Sequence, residues 1–574
     1  MTINKKERHI AILGGGPSAL FMLKKLIESG RKDFRIDIFE AKKQLGAGMP
    51  YSPEGANREH ITNVSDNEIP ELVTSISEWV QTVPDNVLAD FNLQREKLTE
   101  YHVLPRLLFG RYLSDQFELL LEKAKVKGFT VNVHFESRIV DISDQPSLGK
   151  VQVEVEGKQK HQFDQVVVCT GHNWPRKHEG AVPGFFDSPY PPSKLRLKLN
   201  HAIAIKGSSL TAIDAIRTMA RSNGTFEQVK DHKMVFHPAK DSPDFKIVMH
   251  SRSGMLPAIR FHLEEPLLSE DSMLTKEELH KNMDENGGYL SLDYVFDKNF
   301  KKQFHKKDPR FYEKIKDLSL EDFVSAMMDY RDHKEPFQLF RQEYKEAEKS
   351  ITERESIYWK EVLAVLSFTM NYPAKYLSAE DMIRLQKVLM PLISIVIAFV
   401  PQSSCEELFA LHDAGRLEIV SVGEDSRVEA ESKGGVTYHY IDDEEKGQAV
   451  YYKTYVDCVG QPHLSYEDFP YKGLLVNESV SPARIMFRDP ESGAAELAKD
   501  NKMVEQLPDG SYCLKVSGIT INDNFQIVNS KKEANSRIYM MAVPYIGGYN
   551  PDYSGLDFCD EASGAILTGI LAEG

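Results

Sequence analysis

The stretch Ile12 to Leu26, ILGGGPSALFMLKKL, sets three glycines and a proline between a short apolar run and a segment in which Ala19, Leu20, Met22, Leu23, Leu26 and Ile27 recur at helical spacing. A strand that turns at once into a helix leaves free backbone N–H groups and the positive end of the helix dipole at the turn. Glycines let an anion approach that backbone, so the chemistry on offer is phosphate binding. Gly14, Gly16 and Ala19 form the G-x-G-x-x-A version of the dinucleotide fingerprint, with Pro17 and Ser18 completing the turn. The next strand-like run, RIDIFE, ends in Glu40, 21 positions after Ala19, where a carboxylate meets a ribose hydroxyl and repels a 2′-phosphate. This first site is expected to take FAD or NAD rather than NADP.

A second turn of the same design follows. Residues 201–221, HAIAIKGSSLTAIDAIRTMAR, read strand, glycine turn, helix, with Gly207, Ser208, Ser209 and Thr211 at the turn. The following strand closes on Ser251, Arg252 and Ser253, donors suited to a 2′-phosphate where the first motif has Glu40. The pair reads as one site for FAD and one for NADPH. Ser209 stands where the fingerprint has its second glycine, and a side chain there is expected to hold the backbone away from a pyrophosphate. A merely packed strand-to-helix turn remains the alternative.

The elements that must carry these turns are those of an ordinary globular chain. With 574 residues, 41% hydrophobic and 27% charged, it has room for two or three domains. A formal charge of −16 argues against a general nucleic-acid binder and for a small-molecule partner. The start, MTINKKERHI, runs directly into the first strand with no separate signal-peptide core. The longest apolar run, LMPLISIVIAFV at 389–400, is short and contains Pro391, which predicts a buried helix rather than a membrane span. These readings place the chain in the cytoplasm. Five cysteines, 169, 405, 458, 513 and 559, contain no C-x-x-C pair and read as core thiols, and no metal-ligating cluster is evident.

After Glu40 a long Gly- and Pro-rich loop leads to short helical sequence at 75–80 and an amphipathic helix opened by Pro105; alternating strands then precede the buried run FDQVVVCTGH. Residues 261–400 break the α/β rhythm with charged helical sequence, read as an insertion that either lids an active site or offers a solvated or oligomer-forming face. The expected class is α/β, a flavoprotein with two Rossmann-like dinucleotide domains and a helical insertion. The expected division is 1–200 and 463–574 for the FAD domain, 201–260 and 401–462 for the NAD(P) domain, and 261–400 for the insertion.

GGGPSAL, LGAGMPYS, HITNV, VLPRLLFGRYL, VVVCTGH, IKGSSLTAIDAI, HSRSGMLP, HDAGRLEIV and VDCVGQP, in this order, resemble the bacterial FAD-NAD(P)-binding protein family, relatives of flavin-containing and amine N-hydroxylating monooxygenases. The resemblance implies that Gly14, Gly16 and Ala19 hold the FAD pyrophosphate and Glu40 the adenosine ribose. It implies that Gly46 and Gly48 let their loop approach the cofactor, that Arg106 is a charge partner near it, and that Gly171 closes the strand beside it. His60, Thr62 and Asn63 match a stretch that brings an Asn to the flavin face, which makes Asn63 the candidate nearest the chemistry. The implied reaction passes a hydride from NADPH to FAD and then, through a flavin C4a-peroxide formed with O2, oxygenates a soft nucleophile such as an amine. A reductase without oxygen transfer, and a flavin-binding interaction protein with a degraded NADP site, are the alternatives.

Overall fold

The computed structural model describes residues 7–157, 159–229, 233–263, 273–442, 444–461, 464–552 and 555–573. The first six residues, and the expected domain boundary at 462/463, lie outside that set. The strands that build the two main sheets are, in chain order, β1 (Arg8–Leu13), β2 (Phe34–Phe39), β3 (Thr130–His134), β4 (Gln165–Val168), β5 (Phe185–Phe186), β6 (Ala202–Lys206), β7 (Lys246–Ser251), β8 (Leu417–Ser421), β9 (Thr454–Asp457), β10 (Gln526–Val528) and β11 (Ala534–Met540). The helices that matter for the site are α1 (Pro17–Glu28), α2 (Arg106–Val126), α3 (Leu210–Asn223), α4 (Tyr358–Thr369), α5 (Gln402–Asp413) and α6 (Gly555–Ala572).

The first sheet has the order β10-β11-β4-β1-β2-β3, parallel throughout except for β10 at its edge. A parallel strand needs a crossover and helices on both faces, and Ile10, Ala11, Ile12 and Leu13 of β1 are accordingly all buried. α1 and α6 lie side by side on this sheet, and Lys25 Nζ meets Asp560 Oδ2 at 2.8 Å. The second sheet has the order β8-β7-β6-β9-β5, and every pairing is parallel. The class is α/β, with two Rossmann-like sheets and a helical region between segments of the second. Sequence division at 200/201 differs from the structure in one element: β5 precedes residue 201 yet pairs with β9 of the second sheet. Two Phe residues in a Gly- and Pro-rich stretch carry no alternation by which to find so short a strand.

The expected insertion is helical from Lys276–Glu285 to Met390–Val396. The run at 389–400 enters within a continuous helical stretch, 379–396, whose turn Leu385–Leu389 widens to π geometry just before Pro391, and it leaves the helix after Val396. Its two ends are stapled together: Ile259 bridges Val400 in parallel, and Arg260 N donates to the Val400 carbonyl at 2.9 Å. One apolar core runs from the first sheet into the middle helices, and a second joins α3, α5 and the second sheet to Phe337, Phe340 and Ala364 of the same region. The middle helices are therefore packed against both nucleotide-binding units. Among the described residues no helix is long and apolar enough to cross a membrane. All five cysteines are free and buried, and burial pushes the Cys559 thiol up to about 12.

Candidate dinucleotide sites

β1 ends in Gly14, whose φ of +104° is open to glycine, and a Cβ there would stand 2.6 Å from the Cys169 carbonyl oxygen. The turn thus packs against the end of β4 before α1 begins at Pro17. Gly16 is the N-cap of α1 and faces Gly48, with 3.4 Å between a built Cβ and the Gly48 Cα. Glu40, just past β2, accepts from Gly15 N at 2.7 Å through Oε2 and from Lys42 N at 2.8 Å through Oε1. The carboxylate is therefore locked beside the glycine turn, and each oxygen keeps a lone pair for a ribose hydroxyl. Ser18 Oγ lies 3.5 Å from Cys559 Sγ, which puts the first turn of α6 beside that of α1. A cradle closed to side chains, two helix N-termini and a fixed carboxylate at the carboxyl ends of parallel strands fit an adenine dinucleotide such as FAD.

The second turn copies the first. Gly207 has φ +106° and lies against the Cys458 carbonyl, as Gly14 lies against that of Cys169. Ser209 caps α3 with φ −88° and ψ −169°, close to the −82° and −163° of Gly16. That conformation suits any residue, so the serine leaves the turn undistorted, and its side chain is exposed. Ser208 braces the turn instead of facing outward, donating to the Met255 carbonyl at 2.8 Å, with Ser251 Oγ 3.2 Å from its hydroxyl as a donor toward it. The Thr211 side chain is hydrogen-bonded to Tyr190. Arg252 meets Glu424 at 3.2 Å in an exposed pair, a contact weak enough in water to yield to a phosphate.

Several residues expected at the cofactor also have protein partners. Arg106, first residue of α2, is partly buried and reaches Asp214 Oδ2 of α3 at 2.8 Å and the Ile61 carbonyl at 3.2 Å. Burial alone would lower its pKa, but Asp214 together with Tyr190 and Tyr51 holds it above the usual value. Its charge partner is thus the second domain's helix. His60 is also turned to α3: Nδ1 accepts from Asn57 N at 3.2 Å, which makes Nε2 the donor toward Thr218 Oγ1 and the Asp214 carbonyl. Burial lowers its pKa and keeps it neutral. Thr62 is buried with its hydroxyl on the Val64 carbonyl at 3.0 Å. Gly46, with φ +88°, donates its N–H to the Gly15 carbonyl at 2.7 Å, which sets it beside the first glycine turn, and it packs on the backbone of Leu113 and Ser114. Gly171 stands in open space beyond β4. Next to it His172 Nδ1 is 3.2 Å from Gln461 Oε1 and Trp174 Nε1 donates to the Gly460 carbonyl, so the two chain crossings between the domains are tied together.

Asn63 is half-buried, and its side-chain amide has no hydrogen-bond partner among the described residues. Its carbonyl is held by Arg260 Nη1, whose Nη2 donates to Ser65 Oγ and Glu68 Oε2, each at 2.8 Å. Sequence reasoning missed Arg260, although a lone guanidinium in MLPAIRFHL should have asked for a buried partner. It also missed Asp214, which sits inside an amphipathic helix with no motif to mark it.

Paired glycine turns on two parallel sheets define a protein with two dinucleotide-binding domains. Residues 11–173 match the family model described as FAD-NAD(P)-binding, and residues 275–397 the one described as YdhS-like middle domain. These two stretches are thus similar to an FAD-NAD(P)-binding domain and to a YdhS-like middle domain. It is 28% identical over 473 residues to the uncharacterized protein YdhS of Escherichia coli (strain K12), covering 81% of this chain and 86% of that one. Similar solved structures include the ornithine N-hydroxylase of Kutzneria sp. 744, with TM-score 0.46, 13% identity and 99% of each chain covered. Another is the L-lysine 6-monooxygenase of Pseudomonas syringae, with TM-score 0.45, 11% identity, and 98% of this chain and 99% of that chain covered.

Proposed function

We propose that this chain is an FAD-dependent NAD(P)H oxidoreductase that acts as a monooxygenase on a small soft nucleophile such as an amine. The observation that carries the reading is the pairing of two undistorted glycine turns, Gly14 to Ala19 with Glu40 and Gly207 to Thr211 with Arg252, on sheets whose helices touch through Arg106 and Asp214. Gly14, Gly16 and Ala19 would hold the FAD pyrophosphate, Glu40 its ribose, and Ser209 and Arg252 the phosphates of NADPH. Bound FAD would supply hydride acceptance and O2 chemistry, which side chains lack. The protein contributes geometry: Arg260 fixes the Asn63 carbonyl, which leaves the Asn63 amide free to donate to a reacting group without acting as a base.

Purified protein is expected to be yellow with noncovalent FAD, identified by chromatography after heat release, and to consume NADPH faster when small primary amines are present, with label from 18O2 entering the product. Colourless protein that FAD does not reconstitute removes the reading. Flavin reduction without label in any product leaves an NAD(P)H:acceptor reductase.

A further inference from the structure

A buried polar knot joins the middle domain to the segment between β11 and α6. Asn371, two residues past α4, donates from Nδ2 to the Asp552 carbonyl and accepts from Asp552 N at 2.8 Å through Oδ1. Ser367 Oγ of α4 donates to Asp552 Oδ2 at 2.6 Å. Asn550 Nδ2 donates to the Asn371 carbonyl at 2.9 Å. Asn371, Asn550 and Asp552 are 4%, 5% and 8% exposed. The knot lies on the chain that leaves a parallel strand at its carboxyl end and enters α6, the helix whose first turn stands beside Ser18 of the first glycine turn. It therefore belongs to the edge of the sheet where ligands of such folds bind.

One atom of the knot is unsatisfied. Asn550 Oδ1 is buried without a hydrogen-bond partner in the described structure. The amide is not free to turn over, because the opposite placement would set its oxygen against the Asn371 carbonyl oxygen. An amide oxygen only accepts, and a buried acceptor left unpaired is costly, so the position calls for a donor from a bound molecule. The oxidised isoalloxazine ring carries a single N–H, at N3, and its other polar ring atoms are acceptors.

We propose that Asn550 is a cofactor-contacting residue whose Oδ1 accepts the flavin N3–H, and that Asn371 of the middle domain is the positioning residue that orients it. This rests on the FAD reading above. It gives the middle domain a part in the flavin site: α4 holds the segment that faces the ring.

The test is an alkaline absorbance titration of flavin N3 in the holoprotein. A neutral acceptor stabilises the protonated ring, so N3 acidity is expected to rise by about three- to tenfold in Asn550→Ala, the worth of one hydrogen bond. Asn371→Ala should produce part of that change, and Asn550→Asp should lower the acidity below wild type. A purely structural role would leave the titration of bound flavin unmoved, and an unchanged midpoint in Asn550→Ala overturns the proposal. Should that variant not fold, wild type rebuilt with FAD labelled with 15N at N3 decides. The N3–H proton is expected to exchange slowly and to show a through-space signal to the Asn550 side chain, whereas free exchange with solvent overturns the assignment. Failure of the underlying FAD reading looks different, since no flavin would bind at all.

Discussion

Asp557 stands in the first turn of α6, where the helix dipole favours a carboxylate. Burial and then the nearby carboxylates of Glu68 and Asp560 outweigh the dipole and push its pKa up to about 7. An acid whose folded pKa lies above its unfolded value of 3.8 binds its proton more tightly in the native state. Its contribution favours folding at low pH and is lost as pH rises from about 4 through 7. Asp557→Asn removes the charge and keeps the shape. The variant should match wild type near pH 4 and exceed it by roughly 1–3 kcal/mol at pH 8. Urea unfolding at both pH values measures this, and an equal effect at the two would mean that the carboxyl titrates normally.

At the scale of elements, glycines that look alike in sequence do different work. Gly14 and Gly207 make the same tight turn, and the spacing around each was enough to find them. Gly46 reads as a ligand-approach glycine, yet a Cβ there would come within 2.6 Å of the Leu113 carbonyl carbon and 2.7 Å of Ser114 Cα. It lets its loop cross α2. Gly46→Ala should therefore lower the stability of cofactor-free protein by about 2 kcal/mol or more, through strain at positive φ and backbone displacement. A glycine that served only cofactor approach would leave the free protein's thermal midpoint unchanged and weaken FAD binding alone. The two turns, the buried parallel strands and the helical insertion were legible because each repeats a local pattern of apolar spacing and turn residues. His60, Arg106 and Arg260 were not, because their partners lie far off in the chain, at Asp214, Thr218 and Glu68, and no local pattern encodes a contact across a domain interface.

Those contacts organise the whole molecule around α3. On one side it takes Arg106 at Asp214, and His60, Asn57 and Glu59 at Thr218, all from the first domain. On the other, Arg217 and Arg221 grip Glu407 of α5. Burial would raise the pKa of Glu407, but the two guanidinium groups hold it at about 2, so this grip persists at any physiological pH. α3 is thus both the helix that the second glycine turn opens and the plate on which the domains meet, which fixes one turn relative to the other. Breaking a buried pair from one side leaves an uncompensated charge, and Asp214→Asn should cost about 3–5 kcal/mol. Replacing both partners by apolar residues, Arg106→Met with Asp214→Leu, leaves no stranded charge and should cost less than either single change. If the pair is the interdomain lock, Asp214→Asn should also split the calorimetric unfolding transition in two, with the second dinucleotide domain melting first. A single transition that only shifts downward would show that the surrounding His60 and Thr218 contacts hold the domains together without it.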